Sequence, residues 1–204
     1  MSWKKEISQI KLREKLAKQQ GGSEAVKVQH DKGRLTLRER IDLLLDKDSF
    51  DEIGKVAGGA EYDDEGNLLS LTPANFILGF GKIEGQDVIV GGEDFTVKGG
   101  SPNAAGLRKS VYTEDLAVKH KFPLVRLHEG GGGSVAGPSK EKKGYGGDPV
   151  FARSRFKSVA QTLKEVPVVS AALGPVAGLP ASRFVGSHFR IMVKDKAQIL
   201  VAGP

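Results

Sequence analysis

The 204-residue sequence lacks cysteine and has only 6% aromatic residues and four histidines, at positions 30, 120, 128 and 188. Without cysteine there are no disulfides, thiolate metal sites or cysteine nucleophiles, and the chain suits a reducing compartment. No apolar run approaches the roughly 20 residues of a membrane helix, and the N-terminus lacks the apolar core of a signal peptide. We therefore expect a cytoplasmic protein, or a mitochondrial-matrix protein if the source is eukaryotic, with no membrane partner.

Common phosphate-binding motifs are also missing. No Gly-x-x-x-x-Gly-Lys occurs, and the Gly131-x-Gly133-x-x-Ala136 match to a dinucleotide fingerprint is followed by Pro138 where a helix should begin. His128 and Glu129 could form a metal or acid–base pair, but neighbouring strand residues point to opposite faces. We expect no metal in this chain.

Two glycine-rich segments dominate what is present. Residues 125–133 (VRLHEGGGG) and 168–179 (VVSAALGPVAGL) each begin as a β-type run. Glycine lets a ligand approach backbone N–H groups, and two such loops can converge on one carbonyl oxygen as an oxyanion hole. We expect the backbone of Gly131, Gly132, Gly178 and Leu179 to be catalytic, with Gly130 and Ala177 binding substrate beside them.

Positive charge is concentrated near the N-terminus. Residues 1–47 hold twelve Lys or Arg against seven Asp or Glu, so five of the net +6 charges lie there. A solvated helical face would explain this excess, whereas a functional interpretation gives Arg38 and Arg40 to the phosphates of a ligand or to a partner chain. A nucleic-acid partner is not expected, because only Trp3 interleaves these charges.

The order of elements predicts an α/β protein. A helix over 3–20, a capping box at Thr36 and Glu39, and a buried stripe of Leu37, Ile41, Leu44 and Leu45 come first. A hairpin over 75–90, a helix from Ser101 to His120, a strand at 124–127, a helix opened by Asp148, and strands at 168–173, 191–193 and 198–201 follow. Strands alternating with helices indicate a largely parallel sheet whose ligands bind at the strands' carboxyl ends.

Two longer motifs carry a resemblance to a known family. Residues 29–46 (QHDKGRLTLRERIDLLLD) and 92–101 (GEDFTVKGGS) resemble the N-terminal half of the carboxyltransferase (beta) subunit of biotin-dependent acyl-CoA carboxylases of the propionyl-CoA and methylcrotonyl-CoA type. Residues 191–204 resemble the segment after that family's second glycine loop.

The resemblance implies a crotonase-like (ClpP/crotonase) fold of repeated ββα units, incomplete at the C-terminus. It divides the chain into a basic helical segment, 1–34, and a truncated carboxyltransferase N-terminal domain, 35–204. The implied activity transfers a carboxyl group from carboxybiotin to the α-carbon, or vinylogous carbon, of an acyl-CoA through an oxyanion-stabilised enolate.

The same resemblance implies the partners. Biotin would be carried on a separate carrier domain or subunit, together with a biotin carboxylase subunit, and the protein would form a homo-oligomer of up to six copies. Uncovered apolar residues in the last strand, Ile199 to Val201, also favour an oligomer.

The sequence departs from the family in both loops. The usual Ser-Gly-Gly-Ala-Arg is here Glu129 to Gly133, without the arginine, and the usual Ala-Gly-Gly-Ala is Ala177-Gly178-Leu179-Pro180. Leu179 keeps a backbone N–H, whereas Pro180 has none. The alternatives are a non-catalytic acyl-CoA-binding or subunit-assembly module of the same fold, and a basic nucleic-acid binder.

Overall fold

The computed structural model describes residues 2–132 and 155–201. The polar stretch 137–147 and the predicted helix start at Asp148 lie outside these residues. The helices are α1 (Lys4–Ala17), α2 (Ser23–Asp31), α3 (Leu37–Leu44), α4 (Ala104–His120), α5 (Arg155–Glu165) and α6 (Leu179–Val185). The strands are β1 (Asp51–Glu52), β2 (Gly58–Tyr62), β3 (Leu68–Pro73), β4 (Phe76–Ile83), β5 (Gln86–Glu93), β6 (Leu124–Gly130), β7 (Val168–Ala177), β8 (Phe189–Met192) and β9 (Gln198–Leu200).

One mixed sheet organises the described residues. Its order is β1-β4-β5-β6-β7-β8, and β9 pairs with the second half of β7. The β4–β5 hairpin is antiparallel, whereas β5, β6, β7, β8 and β9 are joined by parallel pairings. The carboxyl ends of β6 and β7 therefore lie side by side, as the alternation of strands and helices predicts.

Helices cover both faces of this sheet, and alternate strand residues are buried against each. On one face, Leu37, Ile41 and Leu45 pack against Val90 and Leu127, which confirms the predicted stripe of α3. On the other face, residues of α4 and of the segment after α5 pack with Leu78, Ile89 and Leu124. Ala181 and Phe184 of α6 pack with Ala172 and Val176 of β7.

The capping box that begins α3 is present as predicted. The Thr36 N–H donates to Glu39 Oε2 at 2.7 Å, and the Glu39 N–H donates to Thr36 Oγ1 at 3.4 Å. In contrast, the N-cap of α4 is Asn103, whose Oδ1 accepts from the Gly106 N–H at 2.7 Å, and not the predicted Ser101. Asparagine is as good an N-cap as serine, so local sequence alone does not separate the two.

Several elements differ from the predicted ones. The helix α2, the β2–β3 hairpin and the helix α6 were not predicted, and Trp3, Ile7 and Ile10 of the predicted apolar helical face are 69%, 49% and 53% exposed. Strands β6 and β7 run on to Gly130 and Ala177, past their predicted ends. Pairing with β9 keeps Pro175, Val176 and Ala177 extended, a long-range contact that a sequence window does not contain.

Candidate active site

The two glycine-rich segments meet at the carboxyl ends of β6 and β7. A Cβ built on Gly132 would lie 3.3 Å from the Gly178 Cα, and a Cβ on Gly178 would lie 3.0 Å from the Gly132 Cα. Gly178 also has φ +65°, a conformation that side-chain-bearing residues rarely adopt. The close approach of the two backbones therefore requires glycine at both positions.

Two of the four backbone N–H groups singled out in the sequence already have acceptors. The Gly131 N–H donates to the Gly99 carbonyl at 3.0 Å, and the Gly178 N–H donates to the Leu200 carbonyl at 3.3 Å. The N–H groups of Gly132 and Leu179 have no acceptor within residues 2–132 and 155–201. Leu179 is the first residue of α6, where a helix leaves its N–H groups unbonded.

Gly132 and Leu179 border a small cavity of about 130 Å³, called here the inner cavity. Its wall includes the polar side chains of Glu93, Ser110 and Arg183 and the apolar side chains of Phe76 and Leu107. Gly130 and Ala177 are the last residues of β6 and β7, and they do not line this cavity. The inner cavity has room for a short organic group beside Gly132 and Leu179.

A buried histidine–carboxylate pair lies beside the inner cavity. His128 Nδ1 is 3.0 Å from Glu93 Oε2, the two residues are 1% and 5% exposed, and the imidazole meets the Phe184 ring edge-on. Burial alone would raise the pKa of Glu93, but the charge and hydrogen bond of His128, together with the charge of Arg183, hold it below its usual value. His128 Nε2 has no partner among the described residues.

Strand alternation separates His128 from Glu129, as the sequence indicates. Glu129 lies on the opposite face of β6, where its carboxylate accepts from Gln29 Nε2 at 2.9 Å and Arg34 Nη1 at 3.2 Å and pairs with Arg40 Nη2 at 2.5 Å. The real partner of His128, Glu93, ends the neighbouring strand β5. Its sequence signals are a carboxylate at the end of the apolar run 88–92 and its place in the motif 92–101.

Glu114 and two arginines form a second buried cluster. Glu114 Oε1 accepts from Arg126 Nη2 at 2.6 Å and from Arg183 Nε at 2.8 Å, and Arg183 Nη1 donates to Ser110 Oγ at 3.0 Å. Burial lowers the pKa of Arg126 to about 10, although the charge of Glu114 opposes this shift. Sequence reasoning missed all three residues, since they lie on α4, β6 and α6 with no local motif.

Arg38 and Arg40, predicted to contact ligand phosphates or a partner chain, are each paired with a carboxylate of this chain. Arg38 makes a bidentate ion pair with Glu52 at 2.8 and 3.1 Å, and the Arg40 side chain is 10% exposed in its pair with Glu129. Each pair sets a guanidinium against a buried carboxylate, which would be costly to leave unpaired. Their predicted role in substrate binding stays a prediction, whereas their geometry gives them a structural role.

Within the described part of the chain, no group of three metal-ligating side chains is placed to hold a metal ion. No helix there is both long and apolar enough to cross a membrane.

Known proteins resemble this chain over nearly its whole length. A family model described as the carboxyl transferase domain matches residues 28–204. The propionyl-CoA carboxylase beta chain of Roseobacter denitrificans is 33% identical over 200 residues, which is 97% of this chain and 38% of that protein. The methylmalonyl-CoA decarboxylase subunit alpha of Veillonella parvula is 31% identical over 195 residues, covering 95% of this chain and 37% of that one.

Two solved structures share the architecture. The hexameric transcarboxylase 12S core, with methylmalonyl-CoA and methylmalonic acid bound, superposes with a TM-score of 0.75 at 25% identity, over 100% of this chain and 38% of that one. A single-chain, multi-domain long-chain acyl-CoA carboxylase gives a TM-score of 0.79 at 27% identity, over 98% of this chain and 20% of that one. The α/β, crotonase-like fold implied by the sequence is thereby confirmed. The chain spans 38% of the length of the Roseobacter relative.

Proposed function

Since this chain belongs to the carboxyl transferase domain family, we propose that it binds the acyl-CoA in the carboxyltransferase component of a biotin-dependent acyl-CoA carboxylase. The reaction moves a carboxyl group from carboxybiotin to the α-carbon, or vinylogous carbon, of the acyl group. The observation that carries the proposal is that Gly132 and Leu179, which border the inner cavity, have N–H groups with no acceptor among the described residues.

These two N–H groups are hydrogen-bond donors for the negatively charged oxygen of an enolate. As the α-proton leaves, negative charge grows on the thioester oxygen, and donors already aimed there stabilise the transition state more than the ground state. Gly131 and Gly178 hold the loops through their bonds to Gly99 and Leu200, so we narrow the four predicted donors to Gly132 and Leu179. Gly130 and Ala177 pair with Val176 and Leu200 in the sheet, at the ends of β6 and β7.

The inner cavity is assigned to the acyl group. Its volume of about 130 Å³ leaves room for a short acyl chain and not for the fused rings of biotin as well. No described residue is therefore assigned to biotin. When bound, carboxybiotin would supply the carboxyl group, and its ureido nitrogen would accept the α-proton. This chain's residues bind the thioester, orient its α-carbon and stabilise its oxygen.

The wider assembly follows from the same proposal. A biotinylated carrier and a biotin carboxylase subunit would deliver the carboxyl group, the component would form a homo-oligomer, and the location would be the cytoplasm or mitochondrial matrix. A non-catalytic acyl-CoA-binding or assembly module is less well supported, since it would not need two unbonded N–H groups beside a cavity.

Removing one N–H group tests the proposal. Leu179→Pro deletes a single donor at the first helical position, where proline is well tolerated, and Leu179→Ala removes the side chain but keeps the donor. In the assembled enzyme, we expect Leu179→Pro to slow solvent exchange of the acyl-CoA α-hydrogen about a hundredfold or more, and Leu179→Ala to slow it only slightly.

Circular dichroism and melting curves establish that both Leu179 variants are folded. Equal exchange rates in folded Leu179→Pro and Leu179→Ala proteins would show that this N–H does not stabilise the enolate. Loss of exchange in His128→Ala with no loss in Leu179→Pro would move catalysis from the backbone to the histidine.

A further inference from the structure

Arg183 is a buried cation at the inner cavity. It lies on α6, lines the cavity and is 3% exposed. Its Nε donates to Glu114 and its Nη1 donates to Ser110, but its Nη2 has no partner among the described residues. A buried guanidinium N–H without an acceptor is costly, and an acceptor on a ligand would remove that cost.

The hydrogen-bonding groups around Arg183 are also unequal in number, with more donors than acceptors left without a partner among the described residues. Arg126 and Arg183 share a single oxygen of Glu114, and Arg126 Nη1 also has no partner in the described part of the chain. Glu114 Oε2 is the one side-chain oxygen of this cluster without a partner among residues 2–132 and 155–201, so unpartnered donors outnumber unpartnered acceptors there by two to one. Glu93 also lines the cavity, but its carboxylate is bonded to His128 at 3.0 Å. Among the described residues, two guanidinium nitrogens of the cluster thus lack an acceptor, which a carboxylate on a ligand would supply.

The position of Arg183 sets where such a carboxylate would lie. The guanidinium of Arg183 is held at α4 by its bonds to Glu114 and Ser110, whereas the Leu179 N–H lies at the start of α6. A thioester oxygen at the Leu179 N–H would thus leave the far end of a short acyl chain near the guanidinium. A carboxyl group on the α-carbon would stay closer to the thioester.

We propose that Arg183 selects an acyl-CoA whose short acyl chain ends in a carboxylate, a dicarboxylic acyl thioester, and binds that terminal carboxylate through Nη2. This inference rests on the proposed function and names the substrate class of the same site. Arg183 is a specificity-determining residue on this assignment. An uncharged acyl chain of equal length would leave Nη2 without an acceptor.

Three thioesters of related size test the assignment. Butyryl-CoA ends in a methyl group, succinyl-CoA has a carboxylate at that end, and ethylmalonyl-CoA has it on the α-carbon. We expect the wild-type protein to bind succinyl-CoA about tenfold more tightly than butyryl-CoA, the effect of one charge-assisted hydrogen bond, in calorimetric titrations. Arg183→Met should bring that ratio close to one.

Arg126→Met is the matched control. It removes a guanidinium from the same Glu114 oxygen, but Arg126 does not line the inner cavity. We therefore expect Arg126→Met to keep the preference for succinyl-CoA while losing comparable stability. Equal loss of preference in both variants would show that the ion-pair cluster acts only structurally.

The remaining outcomes separate this inference from the proposed function. A wild-type protein that binds and carboxylates butyryl-CoA, yet shows no preference for succinyl-CoA, overturns the role of Arg183 and keeps the carboxyltransferase function. An Arg183-dependent preference for ethylmalonyl-CoA alone overturns the terminal position. Failure to bind any CoA thioester overturns the proposed function itself. If Arg183→Met does not fold, the wild-type succinyl-to-butyryl ratio alone decides.

Discussion

At the scale of single residues, Lys109 is a buried cation whose position predicts a pH effect on stability. The residue is 8% exposed, and its Nζ donates to the Gly54 carbonyl at 3.3 Å. Burial lowers the pKa of Lys109 to about 8, although the nearby charge of Glu52 opposes the shift. Between pH 8 and the unfolded pKa of about 10.4, the unfolded chain holds more protons, so stability rises with pH across that window.

Lys109→Met should remove this rise. At pH 7 we expect the variant to unfold at a higher urea concentration than wild type, by up to about 3 kcal/mol in unfolding free energy, and the difference should shrink toward pH 10. Lys164→Met, on the exposed side of α5, serves as the control. If the unfolding free energy of the wild-type protein does not rise between pH 8 and 10, burial does not lower the pKa of Lys109.

At the scale of elements, α3 links the N-terminal region to the sheet. Its capping box sets where the helix begins, and the helix carries Arg38 to Glu52 and Arg40 to Glu129. Thr36 is 2% exposed, so a lost cap leaves buried N–H groups without water.

Thr36→Ala should therefore lower the free energy of unfolding by about 0.5–2 kcal/mol, measured by urea denaturation. Thr36→Ser keeps the hydroxyl and should stay closer to wild type. If alanine and serine cost the same, the lost methyl group and not the cap explains the effect.

At the scale of the whole molecule, an exposed apolar surface on β8 favours self-association. Phe189 and Ile191, two residues apart on one strand face, are 62% and 47% exposed, and Met192 is 50% exposed. Val201, directly after β9, is 97% exposed, whereas Ile199 and Leu200 of β9 are half-buried. Adjacent exposed apolar side chains are typical of interfaces between subunits.

The double substitution Phe189→Glu with Ile191→Glu should shift the protein toward monomer in sedimentation velocity runs across a concentration series. Leu69→Glu, at a site 66% exposed on the separate β2–β3 hairpin, should leave the distribution unchanged. A wild-type chain that remains monomeric at every concentration would leave this surface without a role in assembly.

Local sequence determined much of the framework. Thr36 and Glu39 define the start of α3 because both partners of a capping box lie within four residues of each other. The alternation of strands and helices gave the α/β class, and strand alternation alone separated His128 from Glu129. The two long motifs indicated the family, and the glycine runs indicated which backbone segments lie at the candidate site.

Tertiary structure decided which groups in that site are available. Gly131 and Gly178 differ from Gly132 and Leu179 only because Gly99 and Leu200, distant in sequence, accept their N–H groups. The pairing of β9 with β7 extended the second segment into a strand, and the register of β5 against β6 paired Glu93 with His128. The fold likewise decided the ion pairs of Arg38 and Arg40 and the burial of Arg183, because each depends on contacts between residues that are distant in the sequence.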